Sequence, residues 1–113
     1  MSKIKIALAS SDGKFIDKHF GKAESWRIAE LNTQTKEYRE IEIRQTPKLC
    51  QENGHSAQTL AELIKILSDC KYVFVLKIGI WIVSELKSKG IKPVEFFGST
   101  QNAADFVFKE LKV

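Results

Sequence analysis

The sequence has few residues that could cross-link or cage anything: two cysteines, two histidines, two prolines and one methionine among 113 residues. Two thiols without a Cys-x-x-Cys pair make neither a disulfide framework nor a closed four-ligand zinc site. The longest apolar run, Tyr72 to Leu76, is far short of the roughly 20 residues that cross a bilayer, so no membrane partner is expected. Dense Lys/Arg clusters interleaved with aromatics are missing too, and no nucleic-acid partner is expected. No secretory leader pattern precedes the first alternating segment, which points to a reducing, cytoplasmic setting with free or metal-binding thiols.

What is present suits one globular domain over residues 1–113, with 43% hydrophobic and 28% charged residues. A domain of this size buries roughly two-thirds of its unfolded surface, so a metal would be functional rather than structural. The net charge of +4 favours anionic partners in a general way.

Lys3 to Ala9 alternates Ile4, Ile6 and Leu8 with Lys3, Lys5 and Ala7, the period of a strand with one apolar face. Ser10 to Gly21 is aperiodic with turn formers at both ends, a long loop with room for one helical turn. Trp26 to Leu31 and Tyr38 to Arg44 form a hairpin over Asn32 to Glu37, with Ile41 and Ile43 expected on one face and Glu40, Glu42 and Arg44 on the other. A second aperiodic stretch, Gln45 to His55, ends where Ser56 can cap a helix bearing Leu60, Leu63, Ile64 and Leu67. Tyr72 to Leu76 reads as an inner strand covered on both faces. Gly79 opens a helix over Ile82, Val83 and Leu86 that Gly90 closes. Pro93 places the strand Ile91 to Phe97 at a sheet edge, and Ser99 or Thr100 caps a last helix carrying Ala104, Val107, Phe108 and Leu111.

The order βββαβαβα with right-handed crossovers predicts an α/β fold whose five-stranded mixed sheet runs 3-2-1-4-5. Strands 1, 3, 4 and 5 then end on one carboxyl edge, where open α/β sheets place their ligands. The starts of the first two helices point to that edge and favour an anion.

Both histidines, His19 and His55, fall on that edge with Cys50, a set that suits iron, zinc or an iron–sulfur cluster. Cys70 falls at the opposite edge and reads as a small buried thiol. Phe20 and Trp81 lie where they could wall a pocket, and lysines 14, 18, 22, 48 and 77 flank it. Asp12 and Asp17 could suggest a nuclease, but strand 1 offers alanines and serine where converging carboxylates would be needed, and Asp12-Gly13 is an ordinary turn pair. A thiol hydrolase built on Cys50 and a histidine lacks an orienting acid.

The opening KIKIALASSDG, His19-Phe20-Gly21 ahead of a strand, Leu60-Ala-Glu-Leu63, Asp69-Cys70, Ile78-Gly79 and Lys89-Gly90-Ile91 together resemble the dinitrogenase iron–molybdenum cofactor biosynthesis domain, a family of NifX-like and NafY-like carriers and the C-terminal domain of NifB. The resemblance covers nearly the whole chain. It implies a ribonuclease H-like three-layer fold and a carrier rather than an enzyme, transiently holding the iron–molybdenum cofactor or an iron–sulfur precursor. It brings cofactor-synthesis or nitrogenase proteins as partners. His19 carries over from the family's His-Phe-Gly element, and Cys50 with His55 occupies a loop where some members have potential ligands. The expected cofactor contacts are His19, Phe20, Gly21, Lys77 and Gly79, and the expected metal ligands His19, Cys50 and His55. Many members have Gly-Gly-Ile-Gly after strand 4, where this chain has Leu76-Lys77-Ile78-Gly79. The alternative reading is a regulatory or small-anion module on the same fold.

Overall fold

Lys3–Leu8 (β1) pairs antiparallel with Ser25–Asn32 (β2), which pairs antiparallel with Glu37–Gln45 (β3). Beyond β1 lie Tyr72–Val75 (β4) and Lys92–Glu95 (β5), both parallel to their inner neighbour. The order in this computed structural model, which describes residues 3–47 and 57–111, is β3-β2-β1-β4-β5, as right-handed crossovers require.

Helices Ala57–Ile66 (α1) and Ile80–Ser88 (α2) cover one face, and Thr100–Glu110 (α3) the other. The first core joins Leu60, Leu63, Leu67, Ile82 and Leu86 to Ala7, Ala9, Ile28, Val73 and Val75. The second joins Ala103, Ala104, Val107 and Phe108 to Ile6, Leu8, Leu31, Tyr72 and Phe74. Successive residues of a strand feed opposite layers, so β1 is buried on both faces from Ile6 onward rather than on one. Its small Ala7 and Ala9 let α1 and α2 approach.

The β3 expectation also changes. A β-bulge inserts Ile41 between the pairs Ile28–Glu42 and Ala29–Glu40. Ile41 therefore packs against the α1/α2 core, while Ile43, beyond the bulge, is 47% exposed. Bulge and charges together blunt β3 as a free edge. Pro93 sits in edge strand β5, Gly90 takes φ +79° just beyond α2, and the Ser99 side chain accepts the Asn102 N–H at the start of α3. Leu111, expected in the α3 stripe, is exposed.

Arg44 links edge strand β3 to the end of α1. Its Nη1 donates to the Ile66 carbonyl at 2.8 Å and to Asp69 at 2.6 Å, and its Nη2 reaches Asp69 at 2.9 Å and Glu42 at 3.1 Å. This caps a helix C-terminus with a cation. The Arg44 hydrogen bonds, with Lys5 at 3.2 Å, hold the Asp69 carboxyl well below the usual carboxylate range. A depressed folded-state pKa stabilises the fold above the ordinary carboxyl pKa and loses that contribution as pH falls toward the lowered value. Because Asp69 is partly exposed, Asp69→Asn should cost about 1 kcal/mol at pH 7 after allowance for screening. The gap from wild type should narrow below about pH 4 in urea titrations.

Candidate functional site

Residues 10–22 fold against the carboxyl edge with little regular structure, held by their own short side chains. The Asp12 carboxylate accepts the Lys14 N–H at 2.8 Å, the Phe15 N–H at 3.1 Å and the Ser10 hydroxyl at 3.2 Å. The two backbone bonds, chiefly, lower its pKa. Asp17 accepts the backbone N–H and hydroxyl of Ser11. Both aspartates are thus turn clamps. Gly13 takes φ +77°, and a Cβ there would stand 3.0 Å from Glu40 Oε1.

The second half of the loop is a strap across the ends of β1 and β4. Asp17 and Lys18 N–H both donate to the Ala9 carbonyl, Leu76 N–H donates to the Lys18 carbonyl, and Phe20 N–H to the Lys77 carbonyl, the last two at 2.9 Å. Phe20 is fully buried against Trp26, with ring centroids 5.6 Å apart, so it forms the floor of this edge rather than a pocket wall. Gly21 is buried beside it in the short 3-10 turn Phe20–Lys22. Between two inward-bonded neighbours, His19 is extended and its imidazole lies in solvent.

The Phe20–Lys77 bond brings the β4–α2 turn alongside. Lys77 is exposed, Gly79 is the N-cap of α2, and no side chain caps that helix start. Gly79 has φ −70°, and a Cβ would meet nothing nearer than 3.8 Å, so its backbone does not demand glycine. The Ile78 N–H is held by the Glu95 carboxylate at 3.0 Å, a contact no periodicity signals. Lysines 14, 18, 22 and 77 form no ion pair with a described residue. A cleft of about 110 Å³ opens between Ser10, Ser11, Lys18, Lys22, Glu24 and Ser25.

His19, Phe20, Gly21, Lys77 and Gly79 thus share one edge. Cys50, His55, Ser56 and Lys48 lie outside the described residues; the chain leaves them after Pro47, next to Thr46, whose N–H donates to the Glu24 carbonyl and whose hydroxyl accepts the Trp26 indole N–H at 3.0 Å. Among the described residues no three His, Cys, Asp or Glu side chains converge to hold a metal ion. Trp81 lines a groove of about 560 Å³ between α1 and α2 instead. A larger groove, about 660 Å³, opens at the opposite edge, where Lys3 and Lys5 are already paired with Glu30 and Asp69. Size alone does not mark the site.

The family model for the dinitrogenase iron–molybdenum cofactor matches residues 2–109. The chain belongs to that family. It is 36% identical over 93 residues to the FeMo cofactor biosynthesis protein NifB of Klebsiella pneumoniae, covering 78% of this chain and 19% of that protein. It is 28% identical over 92 residues to Protein NifX of Azotobacter vinelandii, covering 81% and 56%. The chain therefore spans about half of its NifX relatives and about a fifth of its NifB relatives. The crystal structure of PH0822 shares the fold of this family member at a TM-score of 0.68 and 17% identity, over 95% of this chain and 92% of that one. The NMR structure of the Thermotoga protein TM1290 does so at 0.56 and 18%, over 95% and 88%. Among the described residues no helix is long and apolar enough to cross a membrane.

The family's Asp-Cys landmark is structural here. Asp69 anchors Arg44, and Cys70 is buried under the end of α1, where burial and then the Asp69 charge push its thiol up to about 12. A Cys50→Ser protein should show no thiol reactive to a disulfide reagent at pH 8 until it is unfolded with denaturant, read as absorbance of the released chromophore.

Proposed function

We propose that this domain is a carrier, not an enzyme, that transiently holds the iron–molybdenum cofactor or an iron–sulfur precursor at the carboxyl edge during nitrogenase cofactor biosynthesis. The observation that carries the reading is His19: an exposed imidazole on a backbone hydrogen-bonded on either side, on one edge with lysines 18, 22 and 77, which form no ion pair with a described residue, in a chain of the iron–molybdenum cofactor family. Imidazole is a good ligand for iron, and the ammonium groups with the uncapped α2 start complement an anionic cargo.

The donor set supports handover. One imidazole from the described residues, joined by Cys50 and His55 where these reach the cargo, leaves positions on a cluster open to another protein's ligands. A full cage would have to be dismantled before release. The NifB and NifX relatives, named for or matched within cofactor biosynthesis, support the same role, with cofactor-synthesis or nitrogenase proteins as donors and acceptors. The ribonuclease H-like three-layer reading of the fold agrees with the helix–sheet–helix layering.

Anaerobic incubation with isolated cofactor precursor, followed by metal analysis and visible absorption, tests the reading. Stoichiometric uptake is expected, falling more than about tenfold in His19→Ala. Gly79→Ala separates approach from stability: the fold should melt within about 0.5 kcal/mol of wild type, while the added methyl at the helix start weakens uptake. Full uptake by His19→Ala would overturn the ligand assignment, and uptake by no variant, wild type included, would overturn the carrier reading in favour of a small-anion or regulatory module.

A further inference from the structure

We infer that Thr46 is a positioning residue for His19: its buried hydroxyl sets the Trp26 ring, Trp26 seats Phe20, and Phe20 fixes the backbone from which the imidazole projects. The inference deepens the carrier reading and rests on it for the cargo, whereas the line of contacts stands by itself.

The core is apolar almost throughout. Apart from Trp26, Cys70 and Tyr72, the buried side chains with polar atoms among the described residues are those of Ser10, Thr46 and Thr100. All three lie on the carboxyl edge: Ser10 follows β1, Thr46 follows β3, and Thr100 opens α3 after β5. Ser10 Oγ accepts the Gly13 N–H and Thr100 Oγ1 donates to the Gly13 carbonyl, both at 2.9 Å, so two of them hold the first half of the loop after β1. Thr46 serves the second half through Trp26.

Of residues 17–22 only Phe20 and Gly21 are buried, so Phe20 is the side chain that holds this half down. Its ring meets Trp26 with centroids 5.6 Å apart and planes tilted by 58°. Both rings are fully buried, and in a close-packed core neither turns without disturbing the other. Apolar contact is non-directional and by itself does not choose one orientation of the indole. The directional contact is the Trp26 indole N–H, which donates to Thr46 Oγ1 at 3.0 Å. Thr46 is pinned in turn, its N–H donating to the Glu24 carbonyl at 2.8 Å just ahead of β2.

Without the hydroxyl the indole N–H would be buried with no acceptor, and the ring would turn to find one. The Phe20 seat moves with it, and His19 is the next residue in the chain. A ligand has to stay within about 0.5 Å of its working geometry, so a small displacement of this seat is felt at the imidazole. A buried polar bond of this kind specifies one arrangement of the rings, which packing alone leaves open.

Hydrogen exchange followed by NMR, together with cluster uptake, tests the inference on wild type, Thr46→Val and Thr46→Ser. In wild type the Trp26 indole N–H and the Phe20 and Leu76 amides should open together, with protection factors within about threefold of one another. In Thr46→Val the exchange of the Phe20 and Leu76 amides should quicken at least about tenfold more than that of the Lys71 and Lys92 amides, which bond across the amino edge to the Lys5 and Lys71 carbonyls. Iron bound after anaerobic incubation with subsaturating isolated cofactor precursor should fall at least about fivefold in Thr46→Val, and Thr46→Ser, which keeps the oxygen, should stay within about twofold of wild type. Thr46→Ala stands in if Thr46→Val does not fold, and the wild-type exchange needs no variant. Independent opening of the indole and the two amides, acceleration shared equally by the amino-edge amides, no rescue by serine, or selective acceleration with unchanged uptake would overturn the inference. If wild type takes up no cluster the carrier reading falls, and the exchange results alone then decide whether Thr46 positions His19.

Discussion

Two backbone hydrogen bonds, Leu76 N–H to the Lys18 carbonyl and Phe20 N–H to the Lys77 carbonyl, determine what the carboxyl edge can present. They stitch the loop after β1 to the turn after β4, and the double acceptance by the Ala9 carbonyl fixes where that stitch begins. With residues 18 and 20 bonded inward, and Phe20 driven into the core against Trp26, the side chain between them points to solvent. An imidazole held this way has little backbone entropy left to lose on binding. The same loop is fixed at its other end by the Phe15–Ser99 bridge.

Much of this architecture can be read from residue spacing, because the relevant signals are local. Leu60, Leu63, Ile64 and Leu67 fall on one helical face and are all buried; Pro93 permits only an edge strand; Gly90 and Ser99 close and open helices by their own backbone and side-chain chemistry. Crossover handedness then leaves one strand order. What escapes the spacing is non-local or has no period. The β3 bulge hides in a clean alternation because Ile41 looks like any outward or inward residue until β2 is beside it. The aspartates at 12 and 17 resemble ligands, and only the folded loop shows them holding N–H and hydroxyl groups of their own segment. Phe96 and Phe97 are identical in type, and a single step along the chain packs one, partly buried, against the α3-side core and leaves the other 86% exposed. His19 was legible through its motif and the edge on which it falls, whereas the Glu95 contact and the Arg44–Asp69 pair depend on partners far away in the chain.

Charge is divided between the two ends of the sheet. Toward the amino end several cations are paired: Lys3 and Arg39 share Glu30, Lys5 and Arg44 share Asp69, and Lys92 meets Glu110, which also accepts the Tyr72 hydroxyl at 3.0 Å. Each such surface pair contributes little by itself. Their joint effect is that the residues binding strands to helix ends are not the residues left available for a ligand. At the carboxyl edge lysines 14, 18, 22 and 77 remain without ion pairs among the described residues. An anion that meets these lysines breaks no ion pair among the described residues. Binding and release at that edge therefore leave in place the pairs that tie strands to helix ends.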